Sequence, residues 1–212
     1  MDTRFFSTFL WANVKKIFVL PLLFVLCSCA SEPTSYYMLA SNTLSPQVEF
    51  TNLDKKKMPK ILLQEVRIPD YLDRNSITLR DVDGVRLIIT DFHAWGEDLE
   101  SGVERVLRSE LLSSLLKEKV LLLPLDDDKS DAMKLFVFLN RFDGRLQDKV
   151  IIDACWTLRS YDNREVASGS FVDEVLVGAD IASVVVAQSE LIVKLAEHIT
   201  VPIAKASHKA KK

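Results

Sequence analysis

Glycine, histidine and cysteine are all scarce in this chain of 212 residues, and each shortage removes a class of chemistry. Six glycines supply no glycine-rich phosphate loop, and no G-x-S-x-G elbow is present to expose a nucleophilic serine. The three histidines, His93, His198 and His208, form no His-x-x-x-His pair, and no Cys-x-x-Cys accompanies them. A zinc site therefore has no frame. His93, between Phe92 and Ala94, reads as a hydrogen-bonded structural histidine. Asp126-Asp127-Asp128 lacks the glycine and terminal glutamate of a calcium loop and reads as a solvated acidic loop. No catalytic residue and no metal ligand stands out, and the expectation is a protein that is not an enzyme.

A strong excess of one charge is also missing. The formal net charge is −3. Removing residues 1–28, which hold three basic and one acidic side chain, leaves 24 basic and 29 acidic in the remainder. A mildly acidic domain is a poor nucleic-acid binder, because affinity for the phosphate backbone needs concentrated Lys and Arg. Nor does any apolar run after residue 30 approach the length of a membrane span.

What is there begins at the N-terminus. Arg4, Lys15 and Lys16 form a basic region, and Ile17 to Leu26 is an unbroken apolar run of ten residues. That length suits the core of a signal peptide and falls short of the roughly 20 residues a bilayer-spanning helix needs. Leu26-Cys27-Ser28-Cys29 follows and resembles a lipobox, with small Ser28 just before the acylated cysteine. Cys27 is the rival acceptor, but it would place bulky Leu26 at the cleavage position. Cys29 is therefore the expected lipidation site, and no cofactor beyond that covalent lipid is expected. Three acyl chains, at about 0.8 kcal/mol per buried methylene, would make the attachment effectively permanent. Ala30, where an Asp tends to retain lipoproteins in the inner membrane, points to the periplasmic face of the outer membrane.

With Cys27 removed and Cys29 acylated, Cys155 stands alone, so no intramolecular disulfide is possible. It lies in the strand-like run VIIDACWTL and reads as a buried packing cysteine.

The remaining 184 residues suffice for one domain. Residues 29–35 are a lipidated cysteine and tether, 36–203 the folded domain, and 204–212 a basic disordered tail. Tyr36 to Leu39 and the run after Pro59 up to Pro69 read as strands. Ile77–Arg80 and Val85–Ile89 form a hairpin around Asp83-Gly84. From Asp98 the apolar period changes to three and four, Leu99, Val103, Val106, Leu107, Leu111 and Leu115 marking an amphipathic helix. Val120–Leu125, Lys134–Phe142, Lys149–Arg159 and Glu165–Val177 read as strands, with Asp143-Gly144 as a turn. Ile181 to Ile199 shares one helical face broken only by Gln188, and Pro202 is expected to close it. The sum is α/β: a mixed sheet covered by two long amphipathic helices. The segment Tyr71, Leu72, Asp73 and Arg74 could be a loop whose tyrosine packs inward or an exposed contact surface, and spacing alone does not separate these.

Tyr36-Tyr37-Met38-Leu39, Ile68 to Arg74 (IPDYLDR), Trp95 to Leu99 (WGEDL), Asn140 to Gly144 (NRFDG), Ala154 to Leu158 (ACWTL) and Val186 to Ser189 (VAQS) together resemble the ABC-type transport auxiliary lipoprotein family, PqiC-like outer-membrane lipoproteins. The resemblance runs from the lipobox to about residue 203. Gly96, where the family favours alanine, and Ser76, where it favours glutamine, depart from the pattern. The resemblance implies a single three-layer domain of the TolB N-terminal type. It also implies an auxiliary role in intermembrane lipid transport, docked on an MCE-domain protein, with an ABC-type permease often present. A homo-oligomeric ring is implied too, and Tyr71 to Arg74 becomes the candidate contact segment. Two other readings stay open: an assembly factor for an outer-membrane β-barrel or other envelope complex, and a periplasmic hydrolase with an unrecognised site.

Overall fold

The computed structural model describes residues 32–41, 57–124 and 131–210. The signal sequence, Cys29 and Asp126–Asp128 lie outside them. From Thr34 onward the described residues belong to one unit. Its elements are β1 (Ser35–Tyr37), β2 (Lys60–Arg67), β3 (Ser76–Arg80), β4 (Leu87–Trp95), α1 (Leu99–Lys117), β5 (Leu121–Leu122), β6 (Met133–Gly144), β7 (Lys149–Arg159), β8 (Glu165–Leu176) and α2 (Ile181–Ala210).

The domain is α/β with mixed strand directions, as expected, but its strands divide between two sheets rather than one. The larger has the order β5-β2-β6-β7-β8, the smaller β1-β4-β3. In the larger, β2 pairs parallel with β5 and β6, while β6, β7 and β8 form an antiparallel meander. Burial alternates strictly along β7, with Val150, Ile152, Ala154, Trp156 and Leu158 inward. That period of two places the core on one face of the strand. Both helices contribute to that core, and the smaller sheet adds Ile77, Leu79 and Trp95 to it.

The same alternation corrects the reading of Cys155. It falls on the outward set of β7, between Phe138 and Ser170 on the neighbouring strands, and is only partly buried. An apolar run does not say which of its residues face inward; the pairing register does.

The Asp98 carboxylate accepts the Ser101 N–H at 2.9 Å and caps α1, whose predicted stripe is buried. The helix ends with Lys119 in the left-handed region, φ 58°. The Lys119 N–H donates to Leu116 O and the Val120 N–H to Leu115 O, the paired bonds of a Schellman ending. A lysine there costs about 1–2 kcal/mol relative to glycine, offset in part by burial of Val120 beside Leu115.

α2 contradicts the expectation that Pro202 ends it and that a disordered tail begins at 204. The helix runs through Pro202 to Ala210. Ile203, Ala204 and Ser207 continue the buried face, and the His208 ring lies 2.9 Å from Glu118 O. A mid-helix proline costs about 3 kcal/mol, and burying one isoleucine recovers about 1.5–3 kcal/mol. Burial of Ile203, with Ala204 and Ser207 beside it, is of the size that offsets the proline.

Candidate functional site

The candidate segment lies between β2 and β3. Pro69 cannot continue the β2 ladder, and the chain folds into a single 3-10 turn over Asp70–Leu72. The Leu72 N–H donates to Pro69 O at 2.9 Å and the Arg74 N–H to Leu72 O at 2.8 Å. This turn separates the four predicted residues into two pairs. Leu72 is 3% exposed and packs in the core, and Tyr71 is half-buried, whereas Asp73 and Arg74 are exposed. The structure thus brings Tyr71 and Leu72 inward, and only Asp73 and Arg74 remain available as direct contacts. Cys29 lies outside the described residues.

Tyr71 reaches Asp143, which lies in β6 and not in the turn that Asp143-Gly144 suggests. Asp143 is fully buried near the end of β6. The Tyr71 hydroxyl donates to its Oδ2, Arg80 Nε donates to its Oδ1 at 2.7 Å with Nη2 on Oδ2, and Arg141 Nε donates to Oδ1 at 3.1 Å. The fork of Arg80 matches both carboxylate oxygens, the strongest geometry such a pair has. The Arg80 guanidinium also sits 5.6 Å from the centre of the Tyr71 ring. The same strand end is also held from α2, where buried Gln188 donates Nε2–H to Phe142 O at 3.1 Å. One carboxylate therefore fastens the Pro69–Arg74 turn, β3 and β6 together.

Its electrostatics follow from the same contacts. Burial alone would raise the Asp143 carboxyl. The hydrogen bonds from Arg80 and Tyr71 and the charges of Arg80 and Arg141 outweigh burial and hold it below the usual carboxylate range. The Tyr71 hydroxyl is pushed up to about 12 by burial, with its bond to Asp143 adding to this. With four donors on its two oxygens, Asp143 has little capacity left to take a proton from a substrate. The cluster fixes shape.

Gly144, next in line, is not in a turn either. A Cβ there would lie 2.4 Å from Lys149 O and 2.6 Å from Val150 Cα, so glycine lets β6 approach β7 closely. The turn proper comes later, at Leu146-Gln147, where Gln147 takes φ 57°. The signal that could have found the cluster is the length of the apolar pattern, which carries β6 through Phe142. A bulge between Leu139 and Arg141 hides it by shifting the register.

The Tyr37 hydroxyl and His93 Nδ1 lie 2.9 Å apart. Among the described residues no group of three or more His, Cys, Asp or Glu is arranged to hold a metal ion. No helix among them is long and apolar enough to cross a membrane. A surface groove of about 550 Å³ near the end of α2 is lined by Tyr161, Arg164, Val166, Pro202, Lys205 and Lys209 among others, with no histidine or cysteine.

Comparison with solved structures agrees on the fold. A crystal structure of an uncharacterised protein superposes with a TM-score of 0.65 at 23% identity, covering 81% of this chain and 99% of the other. The crystal structure of a protein from Xanthomonas campestris, a member of the family DUF330, gives 0.60 at 14% identity, covering 84% and 98%. No curated protein sequence matches. The model of the ABC-type transport auxiliary lipoprotein component matches residues 42–200. That span takes in the turn, the Asp143 cluster and most of α2, and the chain belongs to the ABC-type transport auxiliary lipoprotein family.

Proposed function

We propose that this chain is an outer-membrane-anchored periplasmic lipoprotein that docks onto an MCE-domain protein of an ABC-type intermembrane lipid transport system. The observation that carries the reading is the construction of the turn. Asp73 and Arg74 are exposed, while Tyr71 and Leu72 directly before them are committed to the Asp143 cluster and the core. Two exposed charges on a turn held by a buried ion pair form a recognition element whose ordering cost is already met, which favours binding. The lipid on Cys29 holds the domain at the membrane, and copies arranged as a ring would continue the lumen of the partner. The protein's part is attachment and channel completion, with no bond made or broken.

Two substitutions test the two halves of the proposal. Cys29→Ala is expected to move the protein from the membrane to the soluble fraction with its melting curve unchanged; full retention in membranes contradicts the anchor. Asp73→Ala and Arg74→Ala lie on the surface and should shift stability by no more than about 0.5 kcal/mol. An interfacial Arg at a hot spot is worth about 2 kcal/mol, so Arg74→Ala should weaken partner capture at least about tenfold. Lower thermal stability with capture unchanged in the folded fraction would make the turn purely structural.

A further inference from the structure

The chain ends of β3 and β6 meet around a recess whose wall is mostly positive. Arg80 closes β3, Arg141 lies in β6, and Arg145 and Lys149 flank the turn into β7; all four line a cavity of about 130 Å³. Their side chains are between 20% and 39% exposed. Each is partly withdrawn from water and is screened less than a cation on the open surface. The two turns beside the recess are tied together. Arg145 Nη2 lies 2.9 Å from Asp148 Oδ2 on its own turn, and Arg145 Nη1 lies 3.4 Å from Val82 O on the β3–β4 hairpin. Arg80 Nη1–H holds the same hairpin through Gly84 O at 3.1 Å.

The charges around the recess do not cancel. Two carboxylates, Asp81 and Asp148, share the lining. Asp148 holds Arg145, and Asp81 is taken by Arg86 at 2.7 Å. Lys149 Nζ reaches Glu174 at 2.6 Å, an exposed pair of small worth. Buried Asp143 takes the fork of Arg80 and the Tyr71 hydroxyl. Arg141 is left with one bond, from Nε to Asp143 Oδ1 at 3.1 Å, on a carboxylate that Arg80 already neutralises. Asp153, opposite Arg141 on β7, accepts from Asn140 Nδ2 at 3.2 Å instead. Among the described residues no other carboxylate lies within ion-pair distance of Arg141, and its Nη groups have no protein acceptor.

The shape of the donors names the ligand. The recess falls well below the roughly 300 Å³ at which pockets take a whole small molecule, so it suits a single group. A guanidinium edge matches a pair of oxygens on phosphate or carboxylate. Here the cations come from β3, β6, β7 and the β6–β7 turn rather than from one strand. That spread favours a tetrahedral group with several acceptor oxygens over a planar carboxylate with two. We infer that this recess binds one phosphate group, with Arg141 as its principal contact and Lys149 beside it. Free phosphate and a phospholipid head group share that chemistry. Nothing in the recess depends on the Cys29 lipid or on the partner proposed above.

The test is calorimetric titration of the full-length protein in a non-ionic detergent at fixed ionic strength, with chloride as the reference anion. The probes are inorganic phosphate, glycerol 3-phosphate and dihexanoylphosphatidylglycerol. Saturable binding is expected, weakened about tenfold or more in Arg141→Gln. Lys205→Gln, in the separate groove near the end of α2, should leave it unchanged. If Arg141→Gln melts below the parent, Lys149→Gln carries the comparison, with an expected loss of about threefold. Equal binding of the two water-soluble phosphates, with no gain from the lipid, identifies a free-phosphate site. Tighter binding of the lipid, lost in Arg141→Gln, identifies a head-group site. No saturable binding of any probe, binding unchanged in both recess variants, or equal weakening by Lys205→Gln overturns the inference.

Discussion

Asp143→Ala is expected to lower the free energy of unfolding by about 3–5 kcal/mol, the usual consequence of removing one partner from a buried ion pair. The loss is large because Arg80, only 20% exposed, keeps its charge while its bidentate acceptor vanishes, and the Tyr71 hydroxyl loses its acceptor as well. Asp143→Asn retains one acceptor oxygen and should fall between. The same pair gives a pH test. The folded state holds the Asp143 carboxyl below its ordinary value, so its contribution is complete above about pH 4 and disappears as pH falls through the depressed folded value. Exposed Asp83 and Asp162 are also held low and add to the acid limb in any variant. The comparison that isolates Asp143 is therefore between wild type and Asp143→Asn: denaturant melts at pH 7 and pH 3 should show the two converging in acid. Parallel profiles would mean the cluster contributes nothing through its charge.

Gly144→Ala is expected to cost roughly 3 kcal/mol, at the upper end of what forced overpacking costs in a tight site. The added carbon would meet backbone, Lys149 O at 2.4 Å and Val150 Cα at 2.6 Å, and neither can rotate away as a side chain would. Gly84 is the control. It takes φ +72° with nothing within 4 Å of an added Cβ, so its alanine variant carries only the left-handed penalty of about 1–2 kcal/mol. Both glycines follow an aspartate, and both read as turn tips from sequence alone. Equal losses in thermal melts would contradict the distinction drawn between a turn and a close approach.

That pair shows where sequence stops being sufficient. The stripe of α1 was legible because a local period defines it; its Asp98 cap appears only with the bond to the Ser101 N–H. The β3–β4 hairpin was legible because its turn is made of its own residues. Asp143 was not, since its partners come from positions 71, 80 and 141 and meet only when β2, β3 and β6 are assembled. Pro202 misled for a related reason: proline is a local signal of helix ending, while what carries α2 onward is burial of Ile203 and Ser207 against the rest of the fold. In the candidate contact segment, sequence located the turn but could not divide it. The inward pair and the outward pair are separated by the 3-10 geometry after Pro69.

The family assignment fixes the broad role as an auxiliary lipoprotein of ABC-type transport, and the partner is the claim most worth testing. In-cell crosslinking of the tagged full-length protein, followed by mass spectrometry of the captured envelope proteins, addresses it directly. The account predicts recovery of an MCE-domain protein, lost in Arg74→Ala at unchanged abundance. Recovery of an outer-membrane β-barrel as the dominant partner, with no MCE-domain protein, would contradict it.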